Sequence, residues 1–405
     1  MWKKALQAAA LLLALVTLVL WGAGAVLRAT LPEYTDNLGD DNYNEKLYGL
    51  TLLKESAARE DNIIIYGSSE LRTLDISTHP SNFFADKRDG FQVNLVGRGS
   101  CQSIIHALSV AASGDALTDK KVVLITSPQS YVEEGITPDM FLANFSKQHF
   151  LTIMQDSSVS KSVKDRLAQR TQELLKEYKA EFGSYGGYED ILLYTQLYNG
   201  DNLLTKVALT LLKPCYALQN YLLELRDLAD SAELLRDEGD ASSNASSEKS
   251  VIDWAAEKVT ATDTAVSMTD NNDFGMLKDY YNRYIGSKLK LQEGKEKNLS
   301  YSVSEEYDDL RLLLDVCQEK GLEIMFVHVP LHGDWSDYTQ FSEDRRQDYY
   351  ENVREIVGEY DNVTLCDLTT YEYEDYFLCD VMHLGWNGWL KFDEALSDFY
   401  HGNLE

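Results

Sequence analysis

The chain has 405 residues, of which 44% are hydrophobic and 11% aromatic, so it contains enough apolar surface to fold and wholesale disorder is excluded. Its 37 basic and 66 acidic residues give a formal charge of -29, which would repel a phosphate backbone and argues against nucleic-acid binding. The five cysteines show no C-x-x-C spacing and suggest neither a zinc site nor a disulfide framework. We predict no metal and no cofactor.

An uncharged, strongly apolar segment covers residues 8–27 and follows two lysines. At about 1.5 Å per residue, a helix of this length crosses the roughly 30 Å hydrocarbon layer of a membrane. The first acidic residue is Glu33, so the charge pattern predicts a cytoplasmic amino terminus. We interpret residues 1–30 as a single-pass signal anchor in the cell membrane and residues 31–405 as an extracellular domain. A cleaved signal peptide is the alternative, with residues 22–25 as its processing site.

Five short apolar runs are typical of buried strands, and amphipathic helical patterns separate several of them. The predicted strands are 62–66, 93–96, 121–126, 323–329 and 363–365. The predicted helices of this alternating pattern are 102–112, 305–320 and 342–360. Alternation of strands and helices predicts an α/β fold with a mainly parallel sheet flanked by helices. Functional sites of such folds lie at the carboxyl ends of the strands.

Residues 140–300 interrupt this alternation and are predicted to form a helical insertion. Within it, helices are expected at 160–182 and 203–225, with a kink or a break in the second helix at Pro214. Residues 228–250 are acidic, rich in serine and poor in large apolar residues. We predict a flexible, solvated loop there.

The first candidate site is the sequence Gly-Ser-Ser-Glu-Leu at residues 67–71, directly after the first predicted strand. Ser69 would project from the carboxyl end of that strand. The preceding glycine allows a tight turn, and backbone N–H groups there can point at a developing oxyanion. A polar turn without chemistry is the alternative.

A second candidate lies near the carboxyl terminus, where Asp380 precedes His383 by three residues. A carboxylate at this spacing can hold the histidine ring as a general base if the loop brings the two side chains together. Trp386 and Trp389 follow, and they either line the site or pack a terminal helix.

Two further turns follow predicted strands. Residues 97–102 (GRGSCQ) lack the third glycine of a dinucleotide-binding motif, but a glycine in this turn can expose a backbone N–H for an oxyanion hole. After the third strand, the side-chain amide of Gln129 can add another donor. Ordinary turns are the alternative for both.

Taken together, these segments resemble the SGNH (GDSL-like) hydrolase superfamily, in the order serine, glycine, amide and Asp-x-x-His. The resemblance is closer still to the DltD family of D-alanyl-lipoteichoic acid biosynthesis proteins of Gram-positive bacteria. It implies an SGNH-hydrolase-like, flavodoxin-like α/β fold. It rests on the anchor and on residues 67–71, 93–103, 127–129, 330–338 and 380–389.

The resemblance implies that Ser69 is the catalytic nucleophile, His383 its base and Asp380 the group that orients the base. The backbone of Ser69, with Gly99 and Gln129, would form the oxyanion hole. Gln129 stands where the superfamily usually has asparagine, so this sequence departs from the pattern there.

Three further residues, Arg98, Trp386 and Trp389, are assigned to substrate binding. Ser68 stands where the wider superfamily often has aspartate, whereas the DltD family is expected to have serine there. This second departure therefore favours the narrower resemblance.

The implied function is D-alanyl transfer onto lipoteichoic acid outside the cell, through an acyl-enzyme on Ser69. The implied partners are a membrane-bound O-acyltransferase and, upstream, a D-alanyl carrier protein. Two alternatives stay open. One is an SGNH esterase or O-acetyltransferase acting on another cell-wall polysaccharide, and the other is a non-catalytic scaffold of the D-alanylation complex.

Overall fold

A computed structural model describes residues 2–39, 43–72, 76–239, 251–270 and 272–404. Five strands form one sheet, in which every neighbouring pair is parallel and the spatial order is β2-β1-β3-β4-β5. This order is that of flavodoxin-like doubly wound folds. The strands are β1 (Asn62–Tyr66), β2 (Gln92–Val96), β3 (Lys121–Thr126), β4 (Glu323–His328) and β5 (Val363–Asp367).

Helices cover both faces of the sheet and fill the long connection between β3 and β4. Up to that connection they are α1 (Trp2–Ala29), α2 (Asn44–Tyr48), α3 (Thr51–Ala57), α4 (Pro80–Phe83) and α5 (Ser103–Ala112). Within it they are α6 (Pro138–Asn144), α7 (Lys147–Gln155), α8 (Lys161–Phe182), α9 (Glu189–Tyr198), α10 (Leu203–Gly239), α11 (Trp254–Thr269), α12 (Lys278–Tyr280), α13 (Leu289–Gln292) and α14 (Glu306–Glu319). After β4 they are α15 (Gly333–Thr339), α16 (Glu343–Val357) and α17 (Trp386–His401).

The predicted α/β class and parallel sheet are confirmed. All five predicted strands form, and their bounds differ from the prediction by at most two residues. The reason is visible in β1, where Ile64 and Tyr66 enter one hydrophobic core and Ile63 and Ile65 enter the other. A strand buried on both faces has to be apolar throughout, which is the pattern that sequence alone can detect.

Helices fill the connection between β3 and β4, but the structure contradicts a break at Pro214 and a loop over residues 228–239, whereas a kink at Pro214 stays a prediction. Helix α10 runs without a break from Leu203 to Gly239, with Pro214 inside it. Residues 228–239 are therefore helical, and not the first part of a loop, because Leu228, Ala232 and Leu235 are buried against neighbouring segments. The rest of the predicted loop, residues 240–250, lies outside the described residues.

The segment predicted to be a membrane anchor forms helix α1. Among the described residues, no helix meets the length and apolar character required of a membrane span. The carboxyl-terminal half of α1 packs on α10, where the Tyr221 hydroxyl donates a hydrogen bond to the Leu20 carbonyl at 3.0 Å and Arg28 pairs with Glu224.

Candidate active site

The turn after β1 presents Ser69 at the carboxyl edge of the sheet. Ser69 begins a short 3-10 helix, Ser69–Leu71, and its side chain is only half-buried. The turn is fixed from both sides. Gly67 N donates to the carbonyl of Val96 on β2 at 3.2 Å, and Ser68 N donates to Oε1 of Glu70 at 2.6 Å.

The structure brings Ser69, His383 and Asp380 into one hydrogen-bonded chain. Ser69 Oγ lies 2.8 Å from Nε2 of His383, and Nδ1 of His383 lies 2.7 Å from Oδ2 of Asp380. The other carboxylate oxygen of Asp380 accepts the backbone N–H groups of Met382 at 2.9 Å and of His383 at 2.8 Å. Because Asp380 accepts at Nδ1, the neutral ring carries its proton there and leaves Nε2 free to take the serine proton.

Electrostatics favour this arrangement. Burial disfavours the charged imidazole, but the hydrogen bond and negative charge of Asp380 outweigh it and raise the pKa of His383 above its ordinary value. Burial raises the pKa of Asp380. The interactions with His383 and two backbone N–H groups lower it by more, so the pKa lies below its ordinary value. Asp380 therefore stays ionised while the ring gains basicity, as a general base requires.

The loop that carries Asp380 and His383 is held by its neighbours. An antiparallel bridge joins Leu378 to Leu384 and closes a short hairpin around the pair. Helix α17 then packs closely, since a Cβ on Gly388 would lie 2.2 Å from the carbonyl oxygen of Phe377. From the insertion, Leu277 N donates to the carbonyl of Cys379 at 2.7 Å.

The turn after β2 contacts the nucleophile turn directly. Gly97 has φ of +140°, and a Cβ there would lie 1.9 Å from the carbonyl oxygen of Gly67. Ser100 N donates to Oγ of Ser68 at 3.0 Å, and Ser100 adopts a left-handed φ of 66°. A non-glycine residue in this conformation is a strained feature that the surrounding contacts must maintain.

The predicted oxyanion donors lie on the turns next to Ser69. Gly99 follows β2 and Gln129 follows β3, and these two strands flank β1 in the sheet. A Cβ on Gly99 would meet no atom within 4 Å, so this backbone faces open space. The side chain of Gln129 is exposed. Their role as oxyanion donors stays a prediction.

The residues predicted to bind substrate have other partners. Arg98 donates from Nε to Oδ1 of Asn144 at 2.9 Å, and its remaining nitrogens donate to Asn44, Tyr48 and Ala143.

Trp386 and Trp389 are 0% and 1% exposed and lie in the hydrophobic core beneath the site. The ring of Trp389 makes an edge contact with His79 at a centroid distance of 4.9 Å. The structure thus favours the packing role that was the alternative for the two tryptophans.

Three residues that support the site were not predicted. Glu70 holds the nucleophile turn through Ser68. His106 on α5 lies 3.1 Å, at Nε2, from the carbonyl oxygen of Gly67. Asn144 donates to the carbonyl of Gly99 at 3.3 Å. The adjacency of Glu70 to Ser69 was a usable signal, whereas His106 and Asn144 act only through tertiary contacts.

A parallel α/β sheet with a serine, a histidine and an aspartate hydrogen-bonded in series at its carboxyl edge defines a protein with the geometry of a serine-dependent acyl-transferring or hydrolytic site. The family model described as DltD protein matches residues 40–401. The chain belongs to the DltD family.

Relatives named Protein DltD support this assignment. The protein from Bacillus subtilis (strain 168) is 33% identical over 336 residues, which cover 83% of this chain and 81% of that protein. The protein from Staphylococcus aureus (strain NCTC 8325 / PS 47) is 27% identical over 94% of this chain and 91% of its own length. A third, from Lacticaseibacillus rhamnosus, is 25% identical over 96% of this chain and 88% of its own length.

The close contact at Gly97 predicts that Gly97→Ala destabilises the chain. An added Cβ must displace the Gly67 carbonyl, which we expect to cost at least about 2–3 kcal/mol and, in a chain of this length, to lower the midpoint of thermal unfolding by about 3–4 °C. Gly99→Ala is the control for stability, because its Cβ enters open space and should change the unfolding free energy by less than about 0.5 kcal/mol. Equal midpoints for the two variants would contradict the contact.

The pKa of His383 can be measured directly by following its ring resonances during an NMR titration. We expect a value above the ordinary 6.5, because Asp380 stabilises the charged ring. In Asp380→Asn that charge is gone while burial remains, so the pKa should fall below 6.5. His79 and His106 serve as internal references, since burial lowers the pKa of each to about 4. If the pKa of His383 is the same in Asp380→Asn as in the unaltered chain, the proposed orientation of the base is excluded.

Proposed function

We propose that the chain acts in the D-alanylation of teichoic acid as a serine-dependent D-alanyl transferase with an SGNH-type site. The observation that carries the proposal is the unbroken chain of hydrogen bonds from Ser69 through His383 to Asp380, found in a member of the DltD family. A purely structural role would not require a half-exposed serine within hydrogen-bonding distance of a histidine that an aspartate holds.

In the first step, Ser69 Oγ attacks the carbonyl carbon of a D-alanyl ester or thioester, and His383 Nε2 accepts the hydroxyl proton. The new bond joins Oγ to the acyl carbon. When the tetrahedral intermediate collapses, the bond from that carbon to the donor oxygen or sulfur breaks, and His383 returns the proton to the leaving group. Asp380 stabilises the imidazolium between these events without accepting its proton.

In the second step, a hydroxyl of the polymer attacks the acyl-enzyme. His383 accepts the proton of that hydroxyl, the ester to Ser69 breaks, and Oγ recovers the proton. Backbone N–H groups at Ser69 and Gly99, with the amide of Gln129, are the proposed donors to the oxyanion in both steps. Water competes with the polymer for the same intermediate, so transfer depends on a positioned acceptor.

The negative charge of the chain acts in opposite directions on the two proposed substrates. A D-alanyl ester carries an ammonium group, which a chain with a formal charge of -29 attracts. The polyanionic acceptor is repelled by the same charge. We therefore propose that partners in the membrane, an O-acyltransferase supplied by the D-alanyl carrier protein, present one or both substrates.

Replacing the nucleophile tests the proposal in cells that lack the chromosomal protein. Ser69→Ala removes the attacking oxygen, and residual transfer should fall by about 10²-fold or more. The measurement is the D-alanine ester content of lipoteichoic acid at matched membrane levels of the variant and the unaltered chain. We expect Ser69→Ala to give the ester content of cells without the protein.

Ser77→Ala is the matched control, because Ser77 is an exposed serine in the described residues close to Ser69 along the chain. It should restore full ester content. Restoration by Ser69→Ala as well would favour a scaffold. Release of acetate or another acid, with unchanged D-alanine content in cells without the protein, would favour an esterase or O-acetyltransferase.

We also propose that α1 anchors the chain in the cell membrane with its amino terminus in the cytoplasm. Support comes from the uncharged sequence of residues 8–27 and from the exposure of apolar side chains of α1 such as Leu15 and Leu18. Replacing both by lysine adds about 2.5–3.5 kcal/mol per residue to the cost of insertion at the centre of a bilayer.

The unaltered chain should therefore resist extraction of membranes with alkaline carbonate, and the double variant Leu15→Lys, Leu18→Lys should be extracted. Leu291→Lys, at an exposed leucine outside α1, is the control and should behave like the unaltered chain. Complete extraction of the unaltered chain would count against the anchor.

A further inference from the structure

Helix α10 has an outward face made of apolar side chains along its first five turns. Its exposed members follow one another at intervals of one, three, four or seven residues, which places them on one side of a helix with 3.6 residues per turn. They are Leu203 (75% exposed), Leu204 (81%), Val207 (48%), Leu211 (73%), Leu218 (49%) and Leu222 (45%). We call this set the α10 stripe.

The opposite face of α10 already has its partners. Tyr216 is buried in the main hydrophobic core, and Leu209, Leu212 and Leu223 pack against that core. The stripe therefore lies on the side of α10 that faces away from the core. It is a second apolar surface, about 30 Å long at 1.5 Å per residue, on a helix that is already anchored to the domain.

Charge distinguishes this part of the chain from the rest. Residues 203–223 contain no acidic residue and two lysines, Lys206 and Lys213, although 66 of the 405 residues are acidic. Both lysines belong to exposed positions of α10. An apolar helix face accompanied by lysines and free of carboxylates is the pattern of helices that lie in the surface layer of anionic membranes.

The position of α1 also favours a membrane as the partner of the stripe. Near the carboxyl-terminal end of the stripe, α10 contacts α1: a Cβ on Gly24 would lie 2.6 Å from the Tyr221 hydroxyl and 3.0 Å from Cδ2 of Leu225. Helix α1 has exposed apolar side chains of its own, including Leu18 and Trp21.

We propose that the α10 stripe lies in the interfacial layer of a phospholipid membrane, with α10 parallel to the membrane surface. Its apolar side chains enter the boundary between headgroups and acyl chains, and Lys206 and Lys213 contact anionic headgroups. This contact goes beyond the proposed chemistry and does not depend on it. It gives the domain a second contact with the membrane besides α1, which packs on the same helix.

Cys215 allows a direct test in the full chain. It is the exposed cysteine of the five, and the other four are buried, so a thiol-reactive, environment-sensitive fluorophore labels it selectively in the folded protein. The labelled chain is reconstituted alone into vesicles of phosphatidylcholine and phosphatidylglycerol that contain lipids with a quencher near the headgroup. We expect at least twofold stronger quenching than for a label at Leu291→Cys, prepared with Cys215→Ser.

Substitutions separate the stripe from proximity caused by α1. Leu211→Asp together with Leu218→Asp should reduce the quenching at Cys215 to the level of the label at position 291, and Leu291→Asp should leave it unchanged. Both stripe positions face outward, and the measurement on the unaltered stripe needs no substitution at all. Quenching in phosphatidylcholine alone should be weaker, because the lysines then lack anionic partners.

Two results would overturn the inference. One is quenching at Cys215 no stronger than at position 291, which would place the stripe in water. The other is quenching, or protection of Cys215 from labelling, that appears only when other membrane proteins are added, which would make the stripe a protein-binding surface. Equal quenching with and without phosphatidylglycerol would overturn the part assigned to Lys206 and Lys213.

Discussion

The close approach of the turns that follow β1 and β2 fixes the position of Ser69, the proposed nucleophile. Gly97 leaves room for the Gly67 carbonyl, which also contacts His106 from α5. The hydroxyl of Ser68 then ties the second turn to the first. Since Ser69 follows without an intervening residue, any shift of this contact moves Oγ relative to Nε2 of His383. The proposed reaction would tolerate such shifts poorly, because a displacement of about 1 Å can cost about 10²-fold in rate.

The other half of the site has to reach Ser69 from the far side of the sheet. Asp380 and His383 follow β5, which lies three positions away from β1. A hairpin closed by Leu378 and Leu384, held by α17 and by the insertion, spans that distance. The insertion is thus part of the support for the base, and its removal would affect the site even though none of the three hydrogen-bonded residues belongs to it.

Sequence patterns predict the sheet because its strands are local features, whereas the three central residues are assigned together through the family resemblance. Strands buried on both faces need uninterrupted apolar residues, and turns at strand ends expose the chemistry. Tertiary contacts decide the rest. Residues 228–239 have a polar composition, yet the burial of Leu228 and Leu235 makes them helical. The burial of Trp386 also depends on tertiary contacts, because the same sequence motif could place this side chain in the wall of a cleft.

The acceptor raises a problem of charge that the site does not solve by itself. The guanidinium of Arg98, the basic group on the turn after β2, donates hydrogen bonds to Asn144, Tyr48 and the Ala143 carbonyl, so these donors are already used within the chain. The proposed confinement of both molecules at one membrane would raise their effective concentration without any new contact. A domain held by α1 alone would gain concentration through a single membrane contact. A second contact through α10 would supply the orientation that transfer to a polymer hydroxyl, in competition with water, requires.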